Sequence, residues 1–413
     1  MRRPVSFAML MILSAFPSAG MTCLVPGGGT GYPRTADWVR RTINTGAAVR
    51  PSFVTTARVD GDTNLDVVAA YAGEGASNPA VFIFFQEAVD SFTAVQVASS
   101  AELAGVTALA LGDLDGDTHV DIVAACNGQI VYLHSPADPR NSAGWTLSVI
   151  AESEGAGFGQ WADVAIGNID GANGLDIVAA LAGPGRVSWF RSPASNITNG
   201  TGWLRIDIDA TTRTNAAGVA LDDFNSDGKT DVISTAVDES SARVAWYRNP
   251  SNPQTDAWSK FTIGNLAAAS RVITADLNVD GRTDVLAVNQ PGRQIGWYVR
   301  PVDATAAWTG AGFLLTQYTS ALPLDARAAD LDGNGQPDVV VGTNTPTTLR
   351  WFMPTPGQTQ TAQWLENNID DINETVQRIA LGDIDADGRP DLVAPLRATS
   401  TANDAIVWFE NPE

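Results

Sequence analysis

Residues 113–121 read DLDGDTHVD, and six other stretches repeat the pattern: RVDGDTNLD (58–66), NIDGANGLD (168–176), DFNSDGKTD (223–231), DLNVDGRTD (276–284), DLDGNGQPD (330–338) and DIDADGRPD (383–391). Each closes on an aspartate, at Asp66, Asp121, Asp176, Asp231, Asp284, Asp338 and Asp391, and consecutive closing aspartates lie 53 to 55 residues apart. One unit of this length cannot bury an apolar face alone, so a sevenfold period of this kind marks stacked supersecondary units.

Around each acidic stretch the chain keeps one order. A small, apolar segment comes first, such as VTALALG (106–112) or RVITA (271–275). A second apolar segment starts on the closing aspartate, as in DIVAAC (121–126) and DVLAVN (284–289). A third carries aromatic residues and often ends at proline, as in VSWFRSP (187–193), VAWYRNP (244–250) and IVWFENP (406–412). A fourth often opens on tryptophan, as in WTLSVI (145–150) and WSKFTI (258–263). Four short strands per unit, joined by turn residues, predict an all-β fold, a seven-bladed β-propeller of four-stranded blades over residues 37–413. A fourth-strand motif, DWVRRTI (37–43), precedes the first unit, and the last unit stops after its third. The N-terminal segment is therefore expected to form the outer strand of the last blade, which closes the ring and leaves no unpaired edge. Eleven of the twelve tryptophans fall on the third-strand or fourth-strand positions, a placement expected of packing between blades. Trp161 is the exception.

The acidic stretch follows D-x-[DN]-x-[DN]-G-x-x-D. Side-chain oxygens at positions one, three and five of a tight loop converge on one point, the backbone carbonyl of position seven joins them, and the ninth aspartate closes the shell. Six or more hard oxygens at this spacing suit Ca2+ better than Mg2+, which demands stricter geometry. Glycine at position six allows positive φ. Five loops offer nearly complete sets: Asp113, Asp115, Asp117, His119 and Asp121; Asp223, Asn225, Asp227, Lys229 and Asp231; Asp276, Asn278, Asp280, Arg282 and Asp284; Asp330, Asp332, Asn334, Gln336 and Asp338; Asp383, Asp385, Asp387, Arg389 and Asp391. The position-seven residues enter through their carbonyls. Arg58 replaces the first aspartate of loop one, and Ala172 the fifth-position ligand of loop three, so these two loops are expected to be weak or empty.

These repeats resemble FG-GAP/VCBS repeats, such as those of the N-terminal propeller of integrin α subunits. The resemblance covers residues 37–413 and rests on blocks such as DLDGDTHVDIVAA and DLNVDGRTDVLAV. It implies a seven-bladed ring with calcium in the hairpins between first and second strands, about five sites here, and an extracellular binding role.

Composition narrows the partners. The net charge of −21 disfavours nucleic acid and anionic membrane. Residues 1–20 combine Arg2, Arg3 and a short apolar run from Phe7 to Phe16, the form of a secretory signal peptide. A Gly/Pro-rich linker, 21–36, follows. A secreted, periplasmic or cell-surface protein without a transmembrane segment is expected. Cys23 offers a lipid-attachment reading, although Gly20, Met21 and Thr22 match such a site poorly, and a Cys23–Cys126 disulfide stays open.

Five positions before each loop, the residue varies from blade to blade: Phe53, Ala108, Asp163, Gly218, Arg271, Asp325 and Arg378. Scaffold positions of a repeat should look alike, whereas a functional rim can differ. Trp161, Asp163, Arg271, Asp325 and Arg378 are therefore the candidate ligand rim, with solvated loop residues or mutual ion pairs as the other reading. The two histidines, His119 and His134, form no catalytic constellation. A monomeric, non-catalytic module for a glycan or an extracellular protein is the leading expectation. A carbohydrate-active enzyme such as a polysaccharide lyase, or a structural cell-surface component, remains open.

Overall fold

The structure is a computed structural model that describes residues 38–45, 50–73, 79–153, 159–172, 174–195, 197–210, 215–238, 243–317, 322–344, 349–354, 364–370, 374–398 and 404–412. The expected leader, linker and Cys23 lie outside them. The described residues belong to one compact unit, Asp37–Glu413.

Within that unit seven antiparallel sheets form a β-propeller. Blade one runs Pro51–Ala57, Asp66–Tyr71, Ala80–Ala88 and Ser91–Ser99, from the inside of the ring outward, and the next five blades repeat this order. The innermost strands touch their neighbours all the way round. Second strands are buried at every residue in all but the last blade, as in Asp176–Leu181 and Asp338–Thr343, because each is covered by blades on both faces. This explains their unbroken apolar runs where an open sheet would alternate. Fourth strands, at the rim, are the most exposed, as in Ser91–Ser99.

Blade seven is the exception that closes the ring. Its inner strand is split into Thr375–Val376 and Ala380–Gly382, followed by Asp391–Arg397 and Ala405–Glu410. The outermost strand is Val39–Thr45, paired antiparallel with Ala405–Glu410 from Val39↔Glu410 to Thr45↔Ala405. Arg41 fixes this seam by donating to Glu410 and, on blade one, to Asp90.

The tryptophans pack blade on blade. Trp297 of blade five meets Trp364 of blade six edge-on, with centroids 5.7 Å apart. Trp351 of blade six meets Trp38 at 5.9 Å, the same contact carried across the closure. Side-chain amides add a second set of links between blades. Asn249 donates to the Ile169 carbonyl and Asn411 to that of Leu331, both at 2.8 Å. Cys126 is a buried free thiol, and burial pushes it up to about 12.

Candidate functional site

The seven loops join first to second strands, so they share one face of the ring. Loops two, four, five, six and seven have one internal geometry. The position-one carboxylate accepts the amides of positions five and six: for Asp276, from Asp280 at 3.0 Å and Gly281 at 2.7 Å. The position-three oxygen also accepts the position-five amide, at 3.1 Å for Asp115, Asn278, Asp332 and Asp385 and at 2.8 Å for Asn225. These bonds wrap the backbone around the carboxylates and aim their remaining lone pairs inward. Oxygens of Asp113, Asp115 and Asp121, of Asp330, Asp332 and Asp338, and of Asp383, Asp385 and Asp391 lie within 4.8 Å of one another. Loops four and five follow the same bonding, with Asn225 and Asn278 in place of the middle aspartate. Carboxylates held this close repel one another, and a hard cation would relieve that repulsion, so the donor set fits a metal ion.

Positive φ is needed at two positions of the loop. Gly228, Gly281, Gly335 and Gly388 supply it at position six, but Thr118 stands there in loop two at φ 77°. Position four, where the pattern allows any residue, holds Ser226 at 61°, Val279 at 56° and Ala386 at 61°.

Position-seven side chains reach neighbouring carbonyls or the position-five aspartate of their own loop. Lys229 Nζ donates to the Pro250 carbonyl and Arg282 Nε to that of Arg300, both at 3.2 Å, and Gln336 reaches the Leu277 carbonyl at 3.1 Å. Arg282 also pairs with Asp280, and Arg389 with Asp387. His119 Nδ1 lies 3.1 Å from Asp117.

Loops one and three break this pattern, and in each an arginine pairs with the position-three aspartate. Arg140 grips Asp60 through Nε and Nη2 at 3.0 and 2.7 Å. Arg191, which ends a third strand, pairs with the almost fully buried Asp170. In loop two the equivalent strand-ending residue is His134, whose Nε2 lies 2.9 Å from Asp115. In blades two and three the residue that ends the third strand thus faces the loop.

The closing aspartates, expected as metal ligands, also latch the hairpin. All seven are buried. In Asp121 one oxygen accepts the Leu114 amide at 3.1 Å and the other the Ser135 amide at 2.9 Å, and Asp66, Asp176, Asp231 and Asp391 repeat both bonds. Loss of solvent pushes Asp66, Asp121 and Asp176 up to about 6 and Asp231, Asp284, Asp338 and Asp391 up to about 7, against the pull of those amides.

The variable position before the loops lies at the ring's centre. In five blades the inner-strand register slips by one residue just before it: at Pro51/Phe53, Trp161/Asp163, Ala216/Gly218, Ala269/Arg271 and Pro323/Asp325. Bulges re-aim side chains. Arg378 falls in the break of blade seven. It lies 3.4 Å from Asp163 and 3.7 Å from Asp325, donates to the Thr107 carbonyl, and covers the Phe53 ring. Blades three and seven are not neighbours, so this contact crosses the ring's centre. Arg327, which the spacing argument missed, pairs with Asp325 at 3.0 Å. It is the lone charge in a column of Thr55, Ala110, Ala165, Ala220, Ile273 and Ala380.

Asp163, Arg271, Asp325 and Arg378 thus come together, but Trp161 does not join them. It is fully buried against Phe190, with ring centroids 5.5 Å apart, and offers no face to a ligand. Its column, Pro51, Val106, Ala216, Ala269, Pro323 and Val376, is apolar and buried in every blade, and this pattern in the sequence identifies a core position.

Ring and loops define a β-propeller with acidic, oxygen-rich hairpin loops. The FG-GAP-like repeat matches residues 58–124, 223–287 and 296–394, more than half of the chain, and the protein belongs to that family. No curated protein matches the chain. Among solved structures, BBS1N in complex with ARL6DN is similar over 92% of this chain and 98% of its own, with a TM-score of 0.56 and 11% identity. An Agrocybe aegerita lectin described as recognising non-reducing terminal N-acetylglucosamine is similar over 78% and 81%, with 0.50 and 14%. The Dos1 propeller is similar over 91% and 95%, with 0.51 and 11%. At these identities the likeness is one of fold. Among the described residues no helix is long and apolar enough to cross a membrane.

Proposed function

We propose that the protein is a secreted, calcium-stabilised binding module without catalytic activity, which presents the face opposite its acidic loops to a glycan or an extracellular protein. The observation that carries the reading is the repeated loop geometry, in which five oxygen-rich loops share one bonding pattern while in the two incomplete loops an arginine pairs with the position-three aspartate. Ca2+ would be held by Asp113, Asp115, Asp117 and Asp121 and by the corresponding residues of loops four to seven, and it would stiffen hairpins. A fold shared with a lectin and with a propeller in complex with a protein partner supports a binding role.

Calcium titration of the chelator-treated protein, followed by calorimetry, should give about five equivalents and a higher melting temperature; no heat and no stabilisation would reject the calcium reading. A glycan array, run in calcium and in EDTA, then tests the ligand. Binding to one sugar class in calcium alone supports the glycan reading, and silence on every sugar moves the reading to a protein partner.

A further inference from the structure

The charged centre of the ring does not balance. Five charged side chains from four blades meet there: Asp163, Arg271, Asp325, Arg327 and Arg378. Among the described residues three are cations and two are anions, an excess of one positive charge at the centre of a protein of net charge −21. The two aspartates are already occupied. Asp163 takes Arg378 and the Val219 amide, and Asp325 takes Arg327, Arg378 and the Ile379 amide.

Arg271 is the cation left over. Its Nη1 donates to the Ser270 carbonyl at 2.9 Å. Its Nε is buried and has no acceptor, and among the described residues no carboxylate lies within ion-pair distance of the guanidinium. Desolvation, then Arg378, pushes it down to about 10 against the pull of Asp163 and Asp325, with Arg327 adding a smaller push, so it keeps its proton at neutral pH. An unpaired buried cation is costly, yet Arg271 retains some accessible surface. The edge that no protein acceptor takes is Nε with Nη2, the fork that grips a planar two-oxygen anion through parallel hydrogen bonds. A single excess charge matches a monoanion, and Asp163 and Asp325 would repel a dianion such as sulfate.

We infer that the centre of the ring is a carboxylate-binding site in which the Nε–Nη2 edge of Arg271 holds the carboxylate of the ligand. The inference rests on the reading of the protein as a binding module and names the chemistry that the module selects. Arg378 is a positioning residue there: it neutralises Asp163 and Asp325 so that neither competes for Arg271.

The test uses the full chain in calcium, in a buffer free of carboxylate and phosphate, with calorimetry and saturation-transfer NMR. D-Glucuronate and D-glucose serve as probes of one shape that differ in charge, and acetate serves as the smallest carboxylate. Glucuronate should bind and glucose should not. Arg271→Gln should weaken glucuronate roughly tenfold or more, and Arg271→Lys, which keeps charge but loses the fork, should fall between. Without ligand, R271Q should melt no lower than the wild type, because it removes an unpaired buried charge. Equal binding of glucuronate and glucose, undiminished binding to R271Q, or no response to any carboxylate would overturn the site. So would a lower melting temperature of unliganded R271Q, which would make Arg271 a structural member of the cluster. Failure here with a positive calcium titration or glycan array would leave the module reading intact, whereas failure of the calcium titration would not touch Arg271.

Discussion

At the scale of single residues, the acidic loop shows how one backbone shape is met by different chemistry. Thr118 and Val279 sit at φ 77° and 56°, where a β-branched side chain crowds its own backbone. Thr118→Gly and Val279→Gly should each stabilise the chelator-treated protein by about 1 kcal/mol, read as a rise in denaturant midpoint at unchanged m-value. A lower midpoint would show that the side chains hold the loops. Charge gives a sharper contrast. Arg191 already neutralises Asp170, so Arg191→Ala should cost about 2 kcal/mol in calcium and in EDTA alike. Asp280→Ala removes a proposed ion ligand, so its cost should reach about 2.7 kcal/mol at a hundredfold excess of calcium over Kd and largely vanish in EDTA. Equal losses for D280A in both conditions would remove the ion from loop five. The closing aspartates set the pH response. Their folded values are raised, by burial first, to about 6 or 7. A raised carboxylate contributes stability that is complete below its unfolded value and lost as pH rises through the folded one. In EDTA the melting temperature should therefore fall from pH 4 to pH 7, and calcium should flatten that fall; a rise over the window in EDTA would contradict it.

At the scale of strands and blades, the sequence told much of the story and missed a defined part of it. The second strands read correctly because burial on both faces imposes an unbroken apolar run, and the tryptophans because their place recurs. Trp38 tests that packing. Trp38→Ala should cost about 3–5 kcal/mol, since its ring fills the seam against Trp351, and chemical denaturation would measure it. A cost near zero would mean that the outer strand of blade seven is held by its backbone alone. The bulges were not legible, because they depend on which residue pairs with which, and pairing register leaves no trace in the order of side chains. This is why Asp163 and Trp161, two residues apart, fell together in the sequence yet separate in space, one at the ring's centre and the other in the core. Arg140 on Asp60 was equally hidden, since 80 residues separate them. Gly218 shows the constraint from the other side. A Cβ there would lie 2.8 Å from Thr235 Oγ1 and 3.1 Å from the Val272 amide nitrogen of the next blade, so a side chain at the bulge of blade four would have to shift both.

At the scale of the whole ring, the period and the unmatched fourth-strand motif were enough to foresee both blade number and closure. That closure has a consequence for how the chain is made. Val39–Thr45 pairs with Ala405–Glu410, so the first strand of the ring to leave the ribosome finds its partner last. At typical rates of synthesis it waits roughly tens of seconds with both edges open. A strand left single for so long invites pairing with other copies. The composition of this one, Val39, Arg40, Arg41, Thr42, Ile43, Asn44 and Thr45, is charged and polar for most of its length, with cations that repel a second copy in transit. Its Arg41 later becomes the clip onto Glu410 and Asp90. The same side chain keeps the strand apart while the chain is incomplete and fastens it when the seventh blade arrives.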